Sequence, residues 1–446
     1  MFHDELGVYG QGIFYLLDHG PSMIPGDMIP VLSRGHPLFF MFFVSLFTKL
    51  LGGSYISAKF VILVLSLALI FCTYLLGKEL FGKKSALISA IILSFQPVFF
   101  AQSTLILPEI MLALLSVLSI LFYIKRRYIW YFFTAALLCL TKETGIVIFA
   151  GIALNEWYKN QFRINLKLIL TIVKWLAPIS CFIIFLIVQK LQHGWFLYPY
   201  HTSLISFNAV DICNRFFLGF KHLFYDQGRI ILCIAALLNL IGNKEKINNS
   251  KDGIMFLFGA IMLIFFAFSS LNYFMVRYQL MVLPIMIISA VALINTKHNK
   301  ISPKIYIPIY FLLTLPYQYS FRTFSTDANM NYLITVENMQ KSISKLDSIT
   351  KGKAVRVFAL FPEIWALKDP RYGYTNNPNY ILYDQYNDSC DYIIRGSNNL
   401  FDEDAFYNGK IDSLLFDTQA LKASKIEKLY ESQLYFSKQS IFKTNN

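Results

Sequence analysis

Ionisable side chains interrupt this apolar sequence at a few widely separated points. Asp4 and Glu5 open a loop that runs on to Arg34-Gly35-His36-Pro37. Glu109 follows Pro108 at the head of an apolar run, Lys142 and Glu143 sit between two others, and Arg277 and Tyr278 occupy a turn before Pro284. Charged groups beside lipid are costly to keep, which makes these the first candidates for function. Carboxylates in such places can take or deliver a proton, and guanidinium or ammonium groups can hold an anion or a developing negative charge. The seven His form no H-E-x-x-H pair and no complete G-x-x-x-x-G-K-[ST] phosphate loop is present, since Gly77–Lys83 is followed by Lys84, so neither a metal-dependent hydrolase nor a nucleotide cradle is indicated. No cofactor is expected; a divalent metal at His36 is the lesser alternative to a plain turn residue.

The elements that must position these groups follow from composition. Of 446 residues, 56% are hydrophobic, 17% aromatic and only 15% charged, against about 25% charged in soluble domains. With a mean hydropathy of +0.49 this is a polytopic membrane protein, mainly α-helical. The net charge is +13, from 40 Lys and Arg against 27 Asp and Glu. The cations fall in short clusters between apolar runs, which excludes a nucleic-acid stripe. Good spans are 56–77, 85–101, 105–124, 166–189, 254–271, 279–295 and 304–320, with shorter candidates at 128–141, 144–157 and 229–242, about ten crossings in all. Lys78/Lys83/Lys84, Lys125/Arg126/Arg127, Lys159/Arg163/Lys167, Lys244/Lys246/Lys251 and Lys297/Lys300/Lys304 occupy alternate connections, as cytoplasmic loops do. The other connections then share the opposite face, where acids and cations from distant segments meet.

Three regions are expected. Residues 1–55 form an extracytoplasmic first loop whose preceding helix is missing from this sequence, with 37–51 as an interfacial helix. Residues 56–320 form the transmembrane helical domain. Residues 321–446 form a small outward-facing α/β domain, with a helix near 331–346, strands at Ala354–Leu360 and Asp391–Arg395, and a hairpin from Tyr430 to Phe442. The six cysteines show no zinc or disulfide spacing, and a Cys213–Cys390 bridge is the one conceivable pairing.

Taken in order, Asp4-Glu5, His36-Pro37-Leu38, Glu109 at the start of an outer-to-inner helix, the Lys142-Glu143 turn and Arg277-Tyr278 ahead of a helix proline resemble the GT-C superfamily of integral-membrane glycosyltransferases. The nearest branch is that of protein O-mannosyltransferases and lipid A aminoarabinose transferases, and the likeness covers residues 4–320. Two features depart from that pattern: no helix precedes the Asp-Glu pair, and the usual His-Pro-Pro step reads His36-Pro37-Leu38. The resemblance implies a GT-C transmembrane bundle in a bacterial inner membrane, with its site and tail facing the periplasm or exterior. It implies a polyprenyl-phosphate-sugar donor and a glycolipid, glycan or protein acceptor. It makes Asp4 the base, with Glu5 beside it; Lys142, Arg277 and Tyr278 the ligands of the donor phosphate; and His36, Glu109 and Glu143 substrate-binding residues.

Each of these residues also has an ordinary reading. Asp4 and Glu5 suit a solvated terminus, Glu109 a helix N-terminus, Lys142 a snorkelling side chain paired with Glu143, and Arg277 a head-group anchor. Rival functions are a transporter or flippase of lipid-linked substrates, an O-antigen ligase or polymerase, and a receptor acting through its tail.

Overall fold

The computed structural model describes residues 4–242, 249–272, 274–295, 303–318, 328–385, 389–396, 426–434 and 437–444. The sequence feature that dominates it is the alternation of Leu/Ile/Phe runs with proline. A proline at the first helical turn costs no hydrogen bond and bars the preceding residue from helix, so it starts segments cleanly. Pro97 and Pro199 do this here, and Pro284 stands second in its helix. In chain order a π-helical turn, Glu5–Gly10, leads into α1 (Gln11–His19), α2 (Pro30–Ser33) and α3 (Phe39–Leu50). Then come α4 (Tyr55–Ser94), α5 (Pro97–Gln102), α6 (Glu109–Ile124), α7 (Tyr128–Thr141) and α8 (Ile146–Lys159). They are followed by α9 (Leu166–Leu176), α10 (Ile179–His193), α11 (Pro199–Ser203), α12 (Ala209–Phe220), α13 (Arg229–Gly242), α14 (Asn249–Leu271), α15 (Leu283–Ile294) and α16 (Pro303–Gln318).

All ten expected spans are helical, with shifted ends. Two of them, 56–77 and 85–101, join in α4 across a break at Gly82, whose φ of 84° suits glycine, and the second stops at Ser94. The span 166–189 divides into α9 and α10, bent by 58° beside Pro178. Tyr55–Ser94 and Asp252–Leu271 are each long and apolar enough to cross a bilayer, and the bent pair is so jointly; α6, α7 and α15 are apolar but shorter. Phe60, Leu63, Val64, Leu67 and Phe71 leave one exposed apolar stripe along α4, the surface a lipid-facing helix presents. Helix α6 is buried nearly throughout and packs against α4 and α7, at the middle of the core.

Among the described residues, the first three basic clusters meet at one end of this bundle. Lys125, after α6, pairs with Glu79 of α4 at 2.8 Å, while Arg126 and Lys159 share Glu156 at 3.2 and 3.0 Å. Lys244, Lys246, Lys297 and Lys300 lie outside the described residues. Glu109 starts α6 at the other end, and 16 residues of helix put about 24 Å between the two ends.

The tail forms α17 (Asn331–Thr350), β1 (Val355–Ala359), α18 (Glu363–Lys368), β2 (Tyr380–Tyr383), β3 (Tyr392–Gly396), β4 (Ile426–Leu434) and β5 (Ser437–Thr444). The sheet order is β2-β1-β3-β5-β4, with β1 parallel to β2 and β3, and β5 antiparallel to β3 and β4. The helix, two strands and hairpin expected from sequence are all present; the partly exposed β2 is additional. The conceivable Cys213–Cys390 bridge is corrected, since both cysteines are free, one exposed and one buried.

Candidate active site

The chain's acids and cations converge where the first loop, the head of α6, the α7–α8 turn and the turn before α15 meet. Asp4 immediately precedes the π-helical turn. Its Oδ1 accepts from Arg34 Nη1 at 3.1 Å and its Oδ2 from Arg277 Nη2. Burial alone would raise the Asp4 pKa, but the charges of Arg277 and Arg34 outweigh it and hold the carboxyl below its usual range. Glu109 is buried at the N-terminus of α6, where the helix dipole favours an anion. Its Oε1 lies 3.1 Å from Lys142 Nζ and 3.3 Å from Arg277 Nε, so one carboxylate joins two buried cations. The Lys142 ammonium also sits 4.0 Å from the centre of the Tyr278 ring.

A second group adjoins the first. Glu143 Oε2 contacts His36 Nδ1 at 2.9 Å, and the His36 ring lies 4.6 Å from that of His201. Burial opposes the Glu143 charge, yet His36 and Lys142 bring its pKa down to about 2. Burial and the neighbouring cations push His201 down to about 4, keeping that imidazole neutral near pH 7. Gly35 makes the junction possible: its φ is +70°, and a Cβ there would lie 2.7 Å from Tyr198 Cβ and 2.8 Å from the Trp195 ring. The aromatic segment Trp195–His201 can therefore close against the Arg34–Pro37 turn.

Both groups border a cavity of about 810 Å³. Asp4, Arg34, His36, Lys142, Glu143 and Tyr278 form its polar end, and Phe182, Leu186, Leu204, Phe207, Phe265 and Phe268 line an apolar wall. Such a cavity fits a ligand with a charged head and a hydrocarbon body. Five of the eight residues singled out from sequence line this cavity, Asp4, His36, Lys142, Glu143 and Tyr278, and two more, Glu109 and Arg277, are buried behind them, ion-paired to Lys142 and Asp4. Glu5 stands apart: it is buried, bonded to the Ile106 N–H at 3.0 Å and to Lys59 Nζ at 3.1 Å, away from the cavity lining. Its position next to Asp4 on a helical turn turns it to another face, so it anchors the segment. Arg34 and His201 were assigned no role from sequence. Arg34 carried a signal in its place two residues before His36, whereas His201 lay within an aromatic run that reads as interfacial belt. Among the described residues no group of three or more His, Cys, Asp or Glu side chains could hold a metal ion.

Residues 35–189 match the family model described as dolichyl-phosphate-mannose-protein mannosyltransferase. No curated protein sequence matches the chain. Among solved structures, ArnT from Cupriavidus metallidurans in the apo state is similar with a TM-score of 0.59 at 11% identity, covering 98% of this chain and 93% of that one. ArnT from the same organism bound to undecaprenyl phosphate is similar with a TM-score of 0.54 at 13% identity, over the same shares. At these identities the likeness is one of fold. It agrees with the GT-C resemblance of the ordered motifs and with an integral membrane protein.

Proposed function

We propose that this protein is an inverting GT-C glycosyltransferase that moves a sugar from a polyprenyl-phosphate carrier to an acceptor hydroxyl at the outer face of a bacterial inner membrane. The observation that carries this reading is the arrangement around Asp4: an ionised carboxylate held by two guanidinium groups at the charged end of a cavity with an apolar wall. The likeness to ArnT bound to undecaprenyl phosphate supports the class of donor.

In this mechanism Asp4 accepts the proton of the acceptor hydroxyl as its oxygen bonds to the anomeric carbon. The bond from that carbon to the phosphate oxygen breaks in the same displacement, which inverts the centre. The electron pair leaves on the lipid phosphate, where Arg277, Arg34 and Lys142 stabilise the developing charge without proton transfer. Both Asp4 oxygens already accept a guanidinium bond, but each keeps a further lone pair for the hydroxyl. Glu109 holds Lys142 and Arg277 in place, and His36 with Glu143 borders the space open to a sugar. Grouping of the charges at one end of the bundle, rather than at its middle, favours transfer over transport.

The test is purified protein in lipid with a polyprenyl-phosphate-sugar donor and a hydroxyl acceptor. Asp4→Asn should lower kcat by about 10²–10⁴-fold while the protein still accumulates folded, and Arg277→Ala should weaken donor binding more than acceptor binding. Wild-type turnover in Asp4→Asn would overturn the assignment of the base. Cells lacking the protein should accumulate the lipid-linked sugar, and unchanged lipid-linked sugars would overturn the donor.

A further inference from the structure

Asp4 is carried by an unusual turn. Glu5–Gly10 is π-helical, a rare form that occurs mostly as single turns and frequently at functional sites. Gly10 permits it: a Cβ there would lie 2.6 Å from the Glu5 carbonyl oxygen. Below the turn, Glu5 is fixed by Lys59 and the Ile106 N–H. Above it lies the tail. A Cβ on Gly7 would fall 1.7, 2.0 and 2.3 Å from three atoms of the Trp365 ring, so that ring rests directly on the backbone of the turn. Neighbouring contacts fasten the same two parts together. Arg371 makes a two-pronged pair with Asp18 at 2.8 and 3.0 Å, and Tyr372 packs edge-on against Phe14 and Tyr55, with ring centres 5.1 and 5.4 Å apart. Lys368 Nζ reaches Gln11 at 3.1 Å.

We propose that the C-terminal domain is a working part of the active site: Trp365, laid on Gly7, clamps the π-helical turn against its Glu5 anchor and so sets the position of the Asp4 carboxylate. Trp365 is a positioning residue, remote from the reacting atoms. The inference rests on the reading of Asp4 as the base. A π-helical turn without a lid can relax toward α-helical spacing, which rotates the residue at its head. A catalytic group displaced by about 1 Å loses on the order of 10²-fold in rate.

The test uses the full chain in lipid nanodiscs with a polyprenyl-phosphate-sugar donor, comparing Gly7→Ala, Trp365→Ala and Trp365→Phe. The first two should lower kcat by about 10- to 100-fold, with the donor KM within about twofold of wild type, since binding at the cations is untouched. Trp365→Phe keeps a flat ring on Gly7 and should restore most of the turnover. Amide hydrogen exchange at residues 5–10 should quicken in Trp365→Ala and stay slow in Trp365→Phe. Faster exchange with unchanged kcat would overturn the proposal, leaving the contact as a staple of the fold. Where Trp365→Ala does not accumulate as folded protein, Trp365→Leu keeps the apolar bulk without the plane and should show the same kcat loss; wild-type kcat there would overturn the clamp. If the wild type transfers no sugar, the functional reading fails, and the exchange arm judges the clamp alone: unchanged exchange in Trp365→Ala would reject it.

Discussion

Replacing Glu109 by Gln isolates what the shared carboxylate does. Around the site Asp4, Glu109 and Glu143 face Arg34, Lys142 and Arg277, three anions to three cations. Glu109 stands 3.1 Å from Lys142 and 3.3 Å from Arg277, and at an effective dielectric of 20 each contact is worth about 5 kcal/mol of gross attraction. Desolvation of the buried ions cancels much of this, and removing one partner of a buried pair costs about 3–5 kcal/mol net. Glutamine retains a carbonyl acceptor, which places the expected loss near the low end, about 3 kcal/mol. The substitution also removes one negative charge from behind the cations that a phosphate would bind. A phosphate bound to Lys142 would sit about 7 Å from position 109, so its binding should tighten by about 2 kcal/mol, roughly thirtyfold. Thermal unfolding in nanodiscs reads the first effect, and titration with a polyprenyl phosphate at constant ionic strength reads the second. A variant that melts early yet binds the lipid phosphate more tightly bears out the balance of charge. Early melting with binding weakened more than about tenfold would refute it, because Glu109 would then be shaping the cations rather than neutralising them.

Two pH effects should follow. Because the guanidinium groups hold Asp4 below the usual aspartate value, Asp4 stays ionised throughout pH 5–8, and kcat/KM should show no acid limb from it in that window; a limb there that disappears in Asp4→Asn would contradict the assignment. In the tail, burial raises the Glu363 pKa from 4.5 to about 7, against the opposing effects of the Gln439 amide and Arg395. A folded-state value above the unfolded one means stability that is full below pH 4.5 and lost as pH rises through 7, so wild type should melt higher at pH 5 than at pH 8, and Glu363→Gln should flatten that difference.

The helices were legible because apolar runs bounded by proline and basic clusters leave little choice of structure. The α9–α10 bend was not, since the apolar run continues on both sides of Pro178 and reads as one span. The convergence of Asp4, Glu109, Lys142 and Arg277 could be read because these charges stand at the edges of apolar stretches. Glu5 shows the limit of that reasoning. Adjacent residues on a helical turn point to different faces, so sequence proximity to Asp4 says nothing about a share in the cavity. Trp365 left no trace at all: its partner is a glycine more than 350 residues away, and neither residue type announces a contact.

That separation bears on biosynthesis. Gly7 emerges from the ribosome before the helices of the bundle, and Trp365 only after they have been made and handed to the insertion machinery. If the turn needs that ring, a nascent chain with every helix in place still works at only a small fraction of its full rate. Full activity then begins only when the later-made tail has folded and docked on that turn, so a translation product truncated before Trp365 would turn over slowly.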